Sequence, residues 1–156
     1  MAEDRLWRWL KSTPNRTFVL YPLVVITTGA VGQRRSRGID LQFSPLLAWG
    51  YLQYRLVGRY RVTRGGGGPG ISTPPQRLLE DGPYRYTRNP MYLGHLIFLL
   101  GLTLTFKSRL AAALLAIHIA WFQQRVIEDE ERLARQFGQP FEDYRSRVKR
   151  WIPGVY

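Results

Sequence analysis

The run Asp81-Gly82-Pro83-Tyr84-Arg85-Tyr86-Thr87-Arg88-Asn89-Pro90-Met91-Tyr92-Leu93-Gly94 sets two guanidiniums among three tyrosine rings, and an acidic run, Glu128-Asp129-Glu130-Glu131, follows further along. These types suit a polar ligand that carries both signs of charge. Arginine grips a carboxylate or phosphate as a fork, carboxylates accept from hydroxyls or an amine, and tyrosines stack on a ring or a cation. The plainer reading of the acidic run is a solvated helix face, ion-paired with Arg125, Arg132 and Arg135. Other chemistries lack their residues. The chain has no cysteine, which excludes disulfides, thiolate metal sites and cysteine nucleophiles. Its two histidines, His95 and His118, form no cluster with metal-ligand spacing. The glycines at 65–68 lack the lysine and hydroxyl that a phosphate-cradling loop requires, so they read as a linker or lid loop.

Several elements must position these residues. Each proline pushes the residue before it toward an extended conformation, and Pro90 suits the first turn of a helix, so the stretch reads as a stiff cationic turn feeding a helix. Met91 to Phe106 is apolar apart from Gly, Thr and His95, and Leu110 to Phe122 is apolar apart from His118. Lys107-Ser108-Arg109 joins them in a tight turn, which predicts a helical hairpin. Beyond Gln123 the helix is expected to continue with Val126, Glu130 and Leu133 on one side and Phe137 a turn further. Gly138 and Pro140 end it. Phe141 to Arg147 then forms a short amphipathic piece, with Phe141, Tyr144 and Val148 facing an apolar surface. Arg150-Trp151-Ile152-Pro153 closes the chain with an interfacial signature.

Toward the N-terminus, Arg5, Arg8, Lys11 and Arg16 mix with Leu6, Trp7, Trp9 and Leu10, an interfacial lead-in. Residues 1–11 lack the apolar core and small-residue cleavage site of a signal peptide. Phe18 to Gly32 carries no charge. A polar loop follows, and the next apolar segment is interrupted by Gln53 and Arg55. Arg59 to Gln76 is the clearest break in the chain.

The net charge of +12 and pI near 10.7 imply an anionic partner surface, nucleic acid or anionic lipid. No nucleic-acid motif is present. The apolar runs are hydrophobic all round, which favours the bilayer. The expected fold is therefore an all-α membrane protein with about four transmembrane helices, a C-terminal helical hairpin and a cytosolic amphipathic tail. One membrane domain covers 1–156, with spans at about 17–33, 41–57, 91–106 and 110–126, a cytosolic loop at 58–90 and a cytosolic tail at 127–156. With both termini cytosolic, that arrangement puts 17 basic residues on the cytosolic side and 5 on the other, as the positive-inside rule requires, with Arg55 inside a span. Arg55 is costly in hydrocarbon unless it snorkels or binds a lipid headgroup.

Gly82-Pro83-Tyr84-Arg85-Tyr86, Arg88-Asn89-Pro90-Met91-Tyr92-Leu93-Gly94, the acidic pair before Leu133, Phe137-Gly138, Tyr144 and Val148-Lys149-Arg150-Trp151-Ile152-Pro153 together resemble the integral-membrane methyltransferases. That family includes isoprenylcysteine carboxyl methyltransferases and phospholipid N-methyltransferases, and the resemblance covers about residues 65 to 154. It implies S-adenosylmethionine as methyl donor, bound on the cytosolic side, and a lipid-like or prenylated acceptor. By motif position it implies cofactor-binding roles for Arg88, Asn89, Pro90, Tyr92, Gly94, Asp129 and Glu130, with Tyr84, Tyr86 or Tyr92 the candidate rings to face the donor's adenine or sulfonium. Arg88 is the candidate fork for the donor carboxylate, and Glu130 and Arg88 are the candidate catalytic residues. His95 and Arg55 are candidate substrate contacts. Asn89 stands where the isoprenylcysteine enzymes carry histidine, and Asp129 replaces the first glutamate of the pair. The alternative is a non-catalytic membrane scaffold or adaptor that retains the methyltransferase fold.

Overall fold

Long apolar stretches bounded by proline, serine and glycine leave the backbone little choice but to satisfy its own hydrogen bonds as helix. The computed structural model of the chain describes residues 2–32, 38–66 and 75–152, and every described element is helical. The order is α1 (Ala2–Lys11), α2 (Thr13–Asn15), a π-turn (Arg16–Leu20), α3 (Tyr21–Gly32), a 3₁₀ turn (Leu41–Phe43), α4 (Ser44–Gly65), a second 3₁₀ turn (Gly82–Arg85), α5 (Pro90–Phe106), α6 (Arg109–Phe137) and α7 (Gln139–Arg147). The expected polar loop at 33–37, the glycine tract at 67–74 and Pro153 lie outside the described residues.

The hairpin is formed as expected. α5 begins at Pro90 and the turn falls at Lys107 and Ser108, whose hydroxyl caps the Ala111 amide at 3.2 Å. α6 continues without a break into its charged half. Among the described helices, α6 is the one both long and apolar enough to cross a membrane, and α5 is a shorter apolar helix. One boundary differs from expectation. α4 does not end near residue 57 but runs through Arg59, Arg61 and Arg64 to Gly65. Nothing in 58–64 breaks a helix except the single Gly58, and arginine is a good helix former, so the break begins only where glycines follow one another.

The chain divides into two compact units, Met1–Tyr51 with His95–His118, and Leu52–Gly94 with Ile119–Tyr156. The first has a core of Val25, Leu99, Leu102 and Ala111, covered by Tyr21, Leu47, Phe106 and Leu115. There α4 passes close over α5 at Gly101, where an added Cβ would lie 2.9 Å from both Leu46 Cβ and the Leu47 amide nitrogen. Backbone cannot yield as a side-chain tip can. Gly101→Val is therefore expected to destabilise by about 1–3 kcal/mol through overpacking. The thermal midpoint in detergent should fall accordingly, whereas Gly29→Ala, with open space around its Cβ, should leave it unchanged or raised.

Candidate functional site

The second unit carries the site, and its construction starts at Gly82. This residue adopts φ +54, and an added Cβ would meet the Tyr60 ring at 2.7 Å, so both conformation and space demand glycine. Pro83 then sets a 3₁₀ turn, closed by Tyr84 N–H to the Asp81 carbonyl and Tyr86 N–H to the Pro83 carbonyl. The turn exposes Tyr86, with the Arg85 guanidinium 5.2 Å from its ring centre. It sends Thr87 and Asn89 inward. Asn89 precedes Pro90, and its carbonyl accepts the Leu93 amide to start α5.

The inward residues hold the tail after α7. The Arg88 amide donates to the Lys149 carbonyl at 3.0 Å, and both Thr87 Oγ1 and Asn89 Nδ2 donate to the Arg150 carbonyl. Phe141 and Tyr144 of α7 are buried, as their spacing predicts, and the Tyr144 hydroxyl donates to the Tyr84 carbonyl at 2.8 Å. Val148 instead takes an extended conformation after the helix. Burial pushes the Tyr84 hydroxyl up to about 12, against the pull of Arg61, and raises that of Tyr144 as well. Both are neutral donors near neutral pH. Trp151 Nε1 donates to Gln123 Oε1 at 2.7 Å, fixing the tail to α6.

Glu130 is the electrostatic centre. It is 5 % exposed on α6, and two arginines from distant segments fork onto its carboxylate. Arg88 reaches it at 3.0 and 3.3 Å, and Arg150 at 3.2 and 2.9 Å. Arg88 also donates through Nη1 to the carbonyl of Arg145, in the last turn of α7 at the negative end of its dipole, and to that of Val148 just beyond the helix. The guanidinium expected to grip a ligand carboxylate is thus turned onto Glu130 and the end of α7, and the candidate catalytic carboxylate of Glu130 is held by two cations. In this arrangement Arg88 and Glu130 tie the turn before α5, the middle of α6 and the tail after α7 together.

The neighbouring carboxylate is differently placed. Asp129 is half-buried, accepts from the Tyr92 hydroxyl at 2.7 Å, and pairs with Arg132 one turn on. A carboxylate has about four acceptor sites, so these contacts leave capacity. Glu128 and Glu131 point to solvent in ordinary surface pairs. Of the four acids, the solvated-face reading therefore fits two.

These elements enclose a hollow of about 100 Å³, far beyond the roughly 10–15 Å³ that one water needs. Of the expected residues, Tyr84, Arg88, Asn89, Pro90, Tyr92, Asp129 and Glu130 line it. Arg61, Leu79, Arg132, Leu133, Phe141 and Tyr144, not expected there, line it too. Arg132 could have been read from its three-residue offset to Asp129; Arg61 has no local signal. Tyr86, Gly94, Arg55 and His95 do not line it. Arg55 is exposed on α4, so its cost in hydrocarbon is not met by a partner within the pocket. His95 is buried in the first unit, stacked on Phe18 with ring centres 4.8 Å apart, and His118 there donates from Nδ1 to the Leu114 carbonyl.

The hollow thus has aromatic and aliphatic walls, one carboxylate with acceptor capacity left, and guanidiniums close by. Comparison with known proteins finds relatives of part of the chain. Residues 68–140 match the family described as phospholipid methyltransferase. The chain is 35 % identical over 78 residues to a Protein-S-isoprenylcysteine O-methyltransferase from Schizosaccharomyces pombe, covering 49 % of this chain and 33 % of that protein. It is 30 % identical over 81 residues to Protein-S-isoprenylcysteine O-methyltransferase B from Arabidopsis thaliana, covering 51 % and 41 %. It is also 32 % identical over 76 residues to the Nickel-cobalt-cadmium resistance protein NccN from Alcaligenes xylosoxydans xylosoxydans, covering 49 % and 36 %. The matched part of the chain is thus similar to the phospholipid and isoprenylcysteine methyltransferases. The matches span between a third and about two fifths of the relatives' length. No solved structure matches.

Proposed function

We propose that this chain transfers a methyl group from S-adenosylmethionine to a lipid-like or prenylated acceptor at the cytosolic face of a membrane. The observation that carries the reading is the pocket itself, where the Arg88–Tyr92 turn and the Asp129–Glu130 pair, far apart in sequence, line one hollow.

The donor set fits this cofactor by its chemistry. Asp129 has acceptor capacity for an ammonium or for ribose hydroxyls. The rings of Tyr84, Phe141 and Tyr144 offer faces to an adenine or a sulfonium, and Arg61 and Arg132 stand at the wall for a carboxylate. When bound, the donor supplies an electrophilic methyl on a sulfonium, and its positive charge disperses as the carbon–sulfur bond breaks. The protein's contribution is positioning and exclusion of water, with no covalent intermediate. Arg88, Glu130 and Arg150 hold the tail against the turn, and Tyr92 orients the Asp129 carboxylate. An amine acceptor must also lose a proton, whereas a carboxylate acceptor needs no base. In the proposed topology the four apolar segments span the bilayer and both termini face the cytosol. The acceptor then enters sideways from the lipid, with the exposed Arg55 a candidate contact for its headgroup.

Calorimetric titration of the detergent-solubilised chain with S-adenosylmethionine and with S-adenosylhomocysteine tests the pocket. Saturable binding of both is expected. Absence of binding by folded protein would sink the proposal and leave the family fold acting as a scaffold.

A further inference from the structure

The first helix lies outside the site described, and its two faces differ sharply. In α1 the side chains of Leu6, Trp9 and Leu10 share one face at the i, i+3, i+4 spacing, with Trp7 at its flank, while Arg5, Arg8 and Lys11 form a row on the other. Among the described residues much of this side stays open: Leu6 is 57 %, Trp7 58 % and Trp9 41 % exposed, while Leu10 is half-buried. Two large indole rings at the surface of one short helix carry a real desolvation incentive, of the kind that marks an interaction surface.

The chain also breaks directly after this helix. Ser12 has ψ 120, outside the helical range, and Pro14 occupies the first turn of α2. The broken end is closed locally, by Ser12 N–H and Asn15 Nδ2 both donating to the Trp9 carbonyl. α1 is therefore not the first turns of the apolar rod that follows it. α3 is apolar all round, whereas α1 is amphipathic, and the two change character at the break. An uncovered amphipathic helix with tryptophans on one side and cations on the other matches a bilayer interface. Indoles favour the headgroup level there, and each cation near anionic lipid is stabilised further.

We propose that α1 is an in-plane membrane anchor, with Leu6, Trp9 and Leu10 at the boundary of headgroups and acyl chains and Arg5, Arg8 and Lys11 toward anionic headgroups. The inference concerns a surface distinct from the pocket and does not depend on the methyl-transfer reading. The occupant is a lipid surface rather than a protein, because the cations at 5, 8 and 11 outnumber Asp4, the acid that shares their face, and complement an anionic leaflet over the last two turns of the helix.

The absence of cysteine makes a site-directed test direct. Single variants Arg5→Cys, Leu6→Cys, Arg8→Cys, Leu10→Cys and Lys11→Cys of the full chain carry a nitroxide and are reconstituted in phosphatidylcholine vesicles with and without phosphatidylglycerol. Oxygen, which concentrates in lipid, and a water-soluble nickel chelate are the relaxing agents. The oxygen-to-nickel ratio is expected to be several-fold higher at 6 and 10 than at 5, 8 and 11. That contrast should grow with phosphatidylglycerol and lose this growth when every unlabelled member of the Arg5, Arg8 and Lys11 row is replaced by glutamine. Equal nickel access at all five positions would overturn the proposal in favour of a solvated helix. Low access of both agents at 6 and 10 would overturn it in favour of a protein partner or a second copy.

Discussion

Glu130→Ala is expected to give the largest loss of stability of any single substitution in the site. The carboxylate is buried and neutralises two guanidiniums, one from the turn before α5 and one from the tail after α7. Removing one member of a buried ion pair typically costs about 3–5 kcal/mol, because the remaining charge stays buried without compensation. Here two charges are left, of which Arg150 is the more exposed and recovers some hydration. The thermal midpoint in detergent should fall steeply, and limited proteolysis should cut the tail beyond α7 first. Arg88→Lys should fall between wild type and Glu130→Ala. An ammonium keeps the charge but cannot fork onto Glu130 while donating to the carbonyls of Arg145 and Val148. A general base with no structural duty would behave otherwise, losing activity while the melting curve stayed put.

Asp129→Asn is expected to do the reverse, weakening donor binding while the fold stands. The asparagine oxygen can still accept from the Tyr92 hydroxyl, so the wall of the pocket survives. What disappears is the negative charge and the acceptor capacity that remained for a ligand. A hydrogen bond to a charged group contributes about 1.5–3 kcal/mol, so affinity for S-adenosylhomocysteine should drop roughly ten- to 150-fold. An unchanged affinity with an unchanged melting curve would remove Asp129 from the site. The two neighbouring acids are thereby separated by experiment, one by stability and one by binding.

The contrast between those acids also shows what could be read from the residues alone. Spacing put Val126, Glu130 and Leu133 on one side of a helix, and all of that side is at least partly buried in the structure. It could not say that Glu130 answers two arginines, because Arg88 and Arg150 lie 42 and 20 positions away and choose their partner only when the tail folds back. A free arginine in a motif looks like a ligand grip, and here the same fork closes the end of α7. Local chemistry was more legible than pairing. Pro90 starting α5, the Ser108 turn, and Phe141 and Tyr144 facing inward all follow from short-range rules. The need for glycine at 82 did not, since half of it comes from the Tyr60 ring on another helix. The end of α4 was placed too early because arginines were read as the edge of a span, although charge ends a span without ending a helix.

The central claim is that the pocket between the Arg88–Tyr92 turn and Asp129 serves methyl transfer to a lipid-like acceptor. Its most direct test incubates the full chain, reconstituted in membrane extract, with S-adenosylmethionine tritiated on the methyl group, followed by extraction into organic solvent. The account predicts label in the organic phase that falls with Asp129→Asn in proportion to lost donor affinity. Folded, donor-binding protein that labels no lipid or prenylated acceptor would contradict it.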